Sequence, residues 1–170
     1  GAVGGAFGLA ALAVELPIST TIMLRSIADI ARSQGEDLND PAARLECAHV
    51  LALGGPGEAD DAGETGYFTS RAALAQAINA AAQHISSKGL SGSGAPAVVK
   101  LITEIASRFS ITVSEKALAQ AVPVVGAIGG AAINSLFIDH FQDMGRGHFT
   151  VRRLERAYGA DEVRRAYEAL

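Results

Sequence analysis

The chain has 170 residues, 49% of them apolar and 19% charged, which suits one domain with a buried core and excludes the composition of a disordered chain. Its formal charge of -4 excludes the broad phosphate attraction of a nucleic-acid binder. A single cysteine, Cys47, excludes an internal disulfide and a cysteine-rich zinc site, and it fits a reducing, cytoplasmic setting.

Residues 1–14, GAVGGAFGLAALAV, carry no polar side chain, and Gly1, Gly4, Gly5 and Gly8 recur at helix-face spacing. Glycine costs a helix about 1 kcal/mol per position, so its repetition points to close backbone approach between helices. Fourteen residues rise only about 21 Å as a helix and do not span a bilayer alone. From Pro17 to Gly35 the spacing predicts a helix with Ile22, Met23, Ile27, Ile30 and Ala31 on its apolar stripe. Arg25, Asp29 and Arg32 share another face, at pairing distance.

Asp40 then offers an N-cap and Pro41 a first helical position, and PAARLECAHVLAL runs into the stop at Gly54 and Gly55. Residues 55–66 read as an acidic, glycine-rich loop. An alanine-rich helix over 67–86 follows, then a flexible connection, SKGLSGSGAP, and a helix from Pro96 to Phe109. From Ala117 to Ile138 no residue is charged, a length that would cross a bilayer, but Pro123 and the Gly126, Gly129 and Gly130 group point to a broken, buried, glycine-faced helix. A basic helix to Tyr158, a stop at Gly159 and a short amphipathic piece finish the chain. No segment alternates as a strand does, so the fold class is all-α: a compact multi-helix bundle with glycine-rich, closely packed central helices, one domain over 1–170.

The densest chemistry lies in FIDHFQDMGRGHFTVRRLE, residues 137–155. On a helix, Phe141, Met144, His148, Val151, Leu154 and Tyr158 form one stripe with Phe137 and His140 beside it. Each histidine reads first as a partly buried ring held by a backbone or carboxylate partner. A metal or acid/base site is the sharper alternative. Eight residues separate the two backbones by about 12 Å in a straight helix, so one ion would not hold both without a kink at Gly145 to Gly147, and no metal site is assigned. A GxSxG elbow and a P-loop are both missing from the sequence, and Cys47 reads as packing. Arg146, Arg152, Arg153 and Arg156 face only Glu155, a local surplus of three positive charges that suits an anionic leaflet; the alternative is a solvated face with Arg152 and Glu155 paired.

Three blocks, ELPISTTIMLRSIADIARSQGED, VSEKALAQAVPVVGAIGGAAIN and FIDHFQDMGRGHFTVRRLERAYG, resemble the motif blocks of the bacterial EcsC family. VPVVGAIGGAAIN is also similar, more loosely, to glycine-rich membrane-associated helical domains appended to some bacterial GTPases. The resemblance implies a protein whose namesake is encoded beside the two components of an ABC transporter linked to secretion and processing, and a chain lacking an upstream segment that relatives carry. It transfers no catalytic residue and names no cofactor.

Two functions follow as expectations. The first is a membrane-associated accessory or regulatory protein, cytoplasmic and peripheral to or partly inserted in the inner membrane. Its partners are an anionic membrane surface, through Arg25, Arg146, Arg152, Arg153 and Arg156, and ABC transporter components, with a homo-oligomer as a further form and no nucleic acid. The second is a hydrolase, peptidase-like or metal-dependent, using Glu15, His140 and His148 gathered by folding. Gln142 also falls in the matching blocks and joins the polar positions to test.

Overall fold

The computed structural model describes residues 19–53, 65–89, 96–120 and 129–169, with side chains described except at 65–66, 110–120, 129–134 and 136. Among these residues every regular element is a helix: α1 over 19–33, α2 Pro41–Leu53, α3 Thr65–Lys88, α4 Pro96–Gln120, α5 Gly129–Tyr158 and α6 Ala160–Tyr167. The all-α expectation holds. The glycine-faced segment 1–14, Pro123 and Gly126 lie outside the described residues.

Helix α2 is the hub. Ala43, Glu46, Cys47, His49, Val50, Leu51, Ala52 and Leu53 are all buried, so its C-terminal half is enclosed on every side, as an interior helix must be. It packs against α3, α4 and α5, while α3 packs along α4, and α5 also meets α4 and α6. Its start is the expected one: the Asp40 carboxylate accepts the Ala42 N–H at 2.9 Å, and Pro41 takes the first position, where no N–H is needed.

Around that hub, Met23, Ile27 and Ala31 of α1 meet Leu74, Ile78 and Ala81 of α3, Leu101 and Ile105 of α4, and Phe137, Phe141 and Phe149 of α5 in one apolar cluster. Ile22, expected on the α1 stripe, is 51% exposed because the buried line runs through positions four apart, Met23 to Ile27 to Ala31.

Two further features of the fold matter for the site. Helix α5 runs unbroken through Gly145 and Gly147, so the kink that one ion shared by His140 and His148 would need is not marked by any break in the helix. Gly145 instead lies against α1, where a Cβ would touch Ile27 at 3.6 Å and Ile30 at 3.8 Å. The uncharged stretch from Ala117 to Ile138 is also not one described element, because α4 ends at Gln120 and α5 begins at Gly129. No described helix is long and apolar enough to cross a membrane.

Helix α1 closes in a Schellman motif. Glu36 N–H bonds to the Ala31 carbonyl and Gly35 N–H to that of Arg32, both at 3.0 Å, and Gly35 sits at φ 82°. This reversal delivers Glu36 to the face of α5. Gly35→Ala places a Cβ in the left-handed region, and we expect a loss of about 1 kcal/mol by thermal or urea unfolding, with helix content unchanged.

Candidate functional site

A polar seam crosses this apolar core between α2, α3 and α5. Glu46 and His49 are three residues apart on α2 and so share a face, and that face meets the α5 line of His148, Arg152 and Glu155. One Glu46 oxygen, Oε2, lies 3.0 Å from His49 Nδ1 and 3.0 Å from His148 Nε2. The other, Oε1, meets Arg152 Nη1 at 3.1 Å. On the far side of the His148 ring, Nδ1 lies 2.9 Å from the Tyr67 hydroxyl at the start of α3. His49 and His148 are 0% and 1% exposed, with ring centroids 5.5 Å apart in an edge-to-face arrangement.

The seam continues outward as ion pairs. Arg152 Nε meets Glu36 Oε1 at 2.9 Å and Nη2 meets Oε2 at 3.1 Å, a two-point grip on the carboxylate delivered by the Schellman turn. Arg156 adds a second guanidinium to the same carboxylate and donates to the Gln34 carbonyl at 2.7 Å. Arg71 of α3 holds Glu155 through two bonds of 2.7 Å. Three carboxylates, Glu36, Glu46 and Glu155, thus face three guanidiniums, Arg71, Arg152 and Arg156, and the seam carries no net side-chain charge with its histidines neutral.

Protonation states follow from the surroundings. Burial alone would raise the Glu46 carboxyl, but the hydrogen bonds from His148 and His49 and the charge of Arg152 outweigh it and hold it well below the usual carboxylate range. Burial pushes His148 down, against the raising pull of the Glu46 bond and charge, which favours the neutral ring. Burial pushes the Tyr67 phenol upward, so it keeps its proton. An ionised carboxylate only accepts, so His148 donates through Nε2 and receives the Tyr67 O–H at Nδ1, and His49 donates through Nδ1. His49 Nε2 is left buried without a hydrogen-bond partner among the described residues.

Glu36, like Glu46, makes the seam sensitive to acid. Burial opposes ionisation, yet the bonds and charges of Arg152 and Arg156 lower its pKa below the ordinary 4.5. A depressed carboxyl stabilises the fold above the unfolded-state value and loses that contribution as pH falls through the folded one. We therefore expect Tm to hold near neutrality and to drop as pH falls below about 4.5, with a shallower acid slope in Glu36→Gln.

A model of the EcsC protein family matches residues 1–154. The chain belongs to the EcsC protein family. No curated protein and no solved structure matches it. The EcsC match takes in Glu36, Glu46, His49, Tyr67, Arg71, His148 and Arg152, while Glu155, Arg156 and all of α6 follow it.

Of the residues singled out in the EcsC sequence, His148 alone among the candidate catalytic groups lies in the seam. Glu15 lies outside the described residues. His140 is exposed more than two turns away on α5, with its ring edge-on to Phe141 at 5.3 Å, so it does not join His148. Gln142 and Asp143 lie on the outer face with Arg146, which bonds to both. Arg25 and Arg153 are exposed. Arg152 is turned inward, and its expected partner Glu155 goes to Arg71 instead. The local surplus of positive charge is thus met from α1's end and from α2, by Glu36 and Glu46.

Sequence reasoning missed Glu46, His49, Tyr67 and Arg71. The available signal was Glu46 and His49 sharing a helical face that also carries Val50 and Leu53, a placement that demands a partner for each.

Proposed function

We propose that this EcsC domain is a membrane-associated accessory or regulatory protein of the cytoplasmic face, serving an ABC transporter or secretion system and running no reaction of its own. The observation that supports this reading is the inward turn of its chemistry. Glu46, His49, His148 and Tyr67 bond to one another inside the core, and the guanidiniums of Arg71 and Arg152 are committed to carboxylates from other parts of the fold. Groups engaged in this way brace α2, α3 and α5 against one another.

Contact with a bilayer then falls to other parts of the chain. The uncharged run of 117–138 and the apolar start at 1–14 are the apolar stretches of the sequence, and of the five arginines expected to meet a leaflet Arg25, Arg146 and Arg153 are exposed outside the brace. Arg152 and Arg156 are assigned to the brace, so attachment draws more on apolar burial than on lipid charge. Flotation with phosphatidylserine-containing and pure phosphatidylcholine vesicles, at low and high salt, tests this. The protein is expected to float with both, more with the anionic ones, and to stay largely bound as salt rises. A protein left at the bottom with both vesicle types at low salt ends the proposal.

A further inference from the structure

We propose that Glu46, His49 and His148 form a binding site for one divalent first-row transition metal ion, zinc being the best suited, held by a carboxylate oxygen and one nitrogen from each imidazole. This inference goes beyond the accessory reading and does not depend on it.

The geometry carries it. The three ligand atoms lie within 4.8 Å of one another, and the two contacts to Glu46 Oε2 are 3.0 Å each. An ion with bonds of about 2.0–2.1 Å sets tetrahedral ligand atoms roughly 3.3 Å apart, so the two carboxylate contacts open by a few tenths of an ångström while the two imidazole nitrogens, no more than 4.8 Å apart, draw together. Helix α2 supplies two ligands at a three-residue spacing and α5 supplies the third, which fixes the triangle on two packed rigid elements.

The donor set selects the ion. Two imidazoles and one carboxylate suit zinc, cobalt, nickel or copper and disfavour magnesium and calcium, which take oxygen ligands. Water or a small anion would complete the fourth position.

The surroundings have the form that orients metal ligands. The His148 nitrogen turned away from the cluster already bonds to the Tyr67 hydroxyl, whose oxygen can accept a hydrogen bond from Nδ1–H once Nε2 ligates and the ring proton sits on Nδ1. Arg152 fixes the second oxygen of Glu46 and leaves Oε2 aimed at the rings.

The test uses the whole chain, stripped with a chelator and dialysed. Titration with zinc chloride is expected to give one equivalent by calorimetry and elemental analysis, to raise Tm in proportion to the logarithm of free zinc, and to do neither with magnesium chloride. Cobalt(II) is expected to give the visible absorption of a four-coordinate site. Tyr67→Phe should weaken zinc binding by about 10- to 100-fold, and His49→Ala by more. Cys47→Ser should leave it unchanged. Should His49→Ala fail to fold, the wild-type cobalt spectrum and zinc-dependent Tm decide the matter. Binding well below one equivalent, equal Tm shifts with magnesium, or a folded His49→Ala variant with undiminished affinity would each overturn the proposal and leave a hydrogen-bonded network that holds no ion.

Discussion

Glu46→Ala is expected to be among the most damaging single changes in the chain, at about 3–5 kcal/mol, because it strips the shared acceptor from two buried imidazoles and a guanidinium at once. Removing one member of a buried polar cluster leaves the others desolvated and unpaired, which costs far more than the cluster's net contribution to stability. For a domain of this length such a loss lowers Tm by roughly 6–20 °C, and it takes a large share of a total stability of about 5–15 kcal/mol. Calorimetry or urea unfolding checks it. A loss under about 1 kcal/mol would mean that water reaches the seam and stands in for the carboxylate, and the brace account would fail.

The second large effect is apolar. Phe141 is wholly buried and meets Phe137 at 5.2 Å and Phe109 at 5.7 Å between ring centroids, so it ties the α4–α5 contact. Phe141→Ala is expected to cost about 3–5 kcal/mol through lost burial and the cavity left behind. Its neighbour provides the contrast: His140 is exposed, and His140→Ala is expected to stay within about 1 kcal/mol. Urea unfolding of the two variants side by side separates a core position from a surface one that precedes it in the chain by a single residue. Similar losses in both would place His140 inside the packed structure.

Local rules made most of the helices legible. Asp40 with Pro41 and Pro96 opened helices where the structure opens them, and Gly35 and Gly159, both at positive φ, closed them. The same rules left Gly145 and Gly147 open. Glycine inside a helix can mark a kink or a close approach, and here the helix continues through both with α1 lying against Gly145. The site was less legible for a related reason. His148 was weighed against His140, eight positions away on its own helix, whereas its acceptor is Glu46, 102 positions away. Arg152 likewise seemed to have only Glu155 to pair with, and its actual partner Glu36 lies 116 positions upstream. Spacing along one helix shows which residues share a face; it says nothing of which helix that face meets.

Cys47 adds a consequence of its own. It is buried on α2, donates to the Ala43 carbonyl at 3.4 Å, and burial together with the Glu36 and Glu46 charges pushes its thiol up to about 11. Since the thiolate is the reactive form, this sulfur is sheltered from disulfide reagents both sterically and chemically while the hub helix stays in place. Its labelling rate therefore acts as a clock on how often that helix comes loose, readable without adding any probe to the protein.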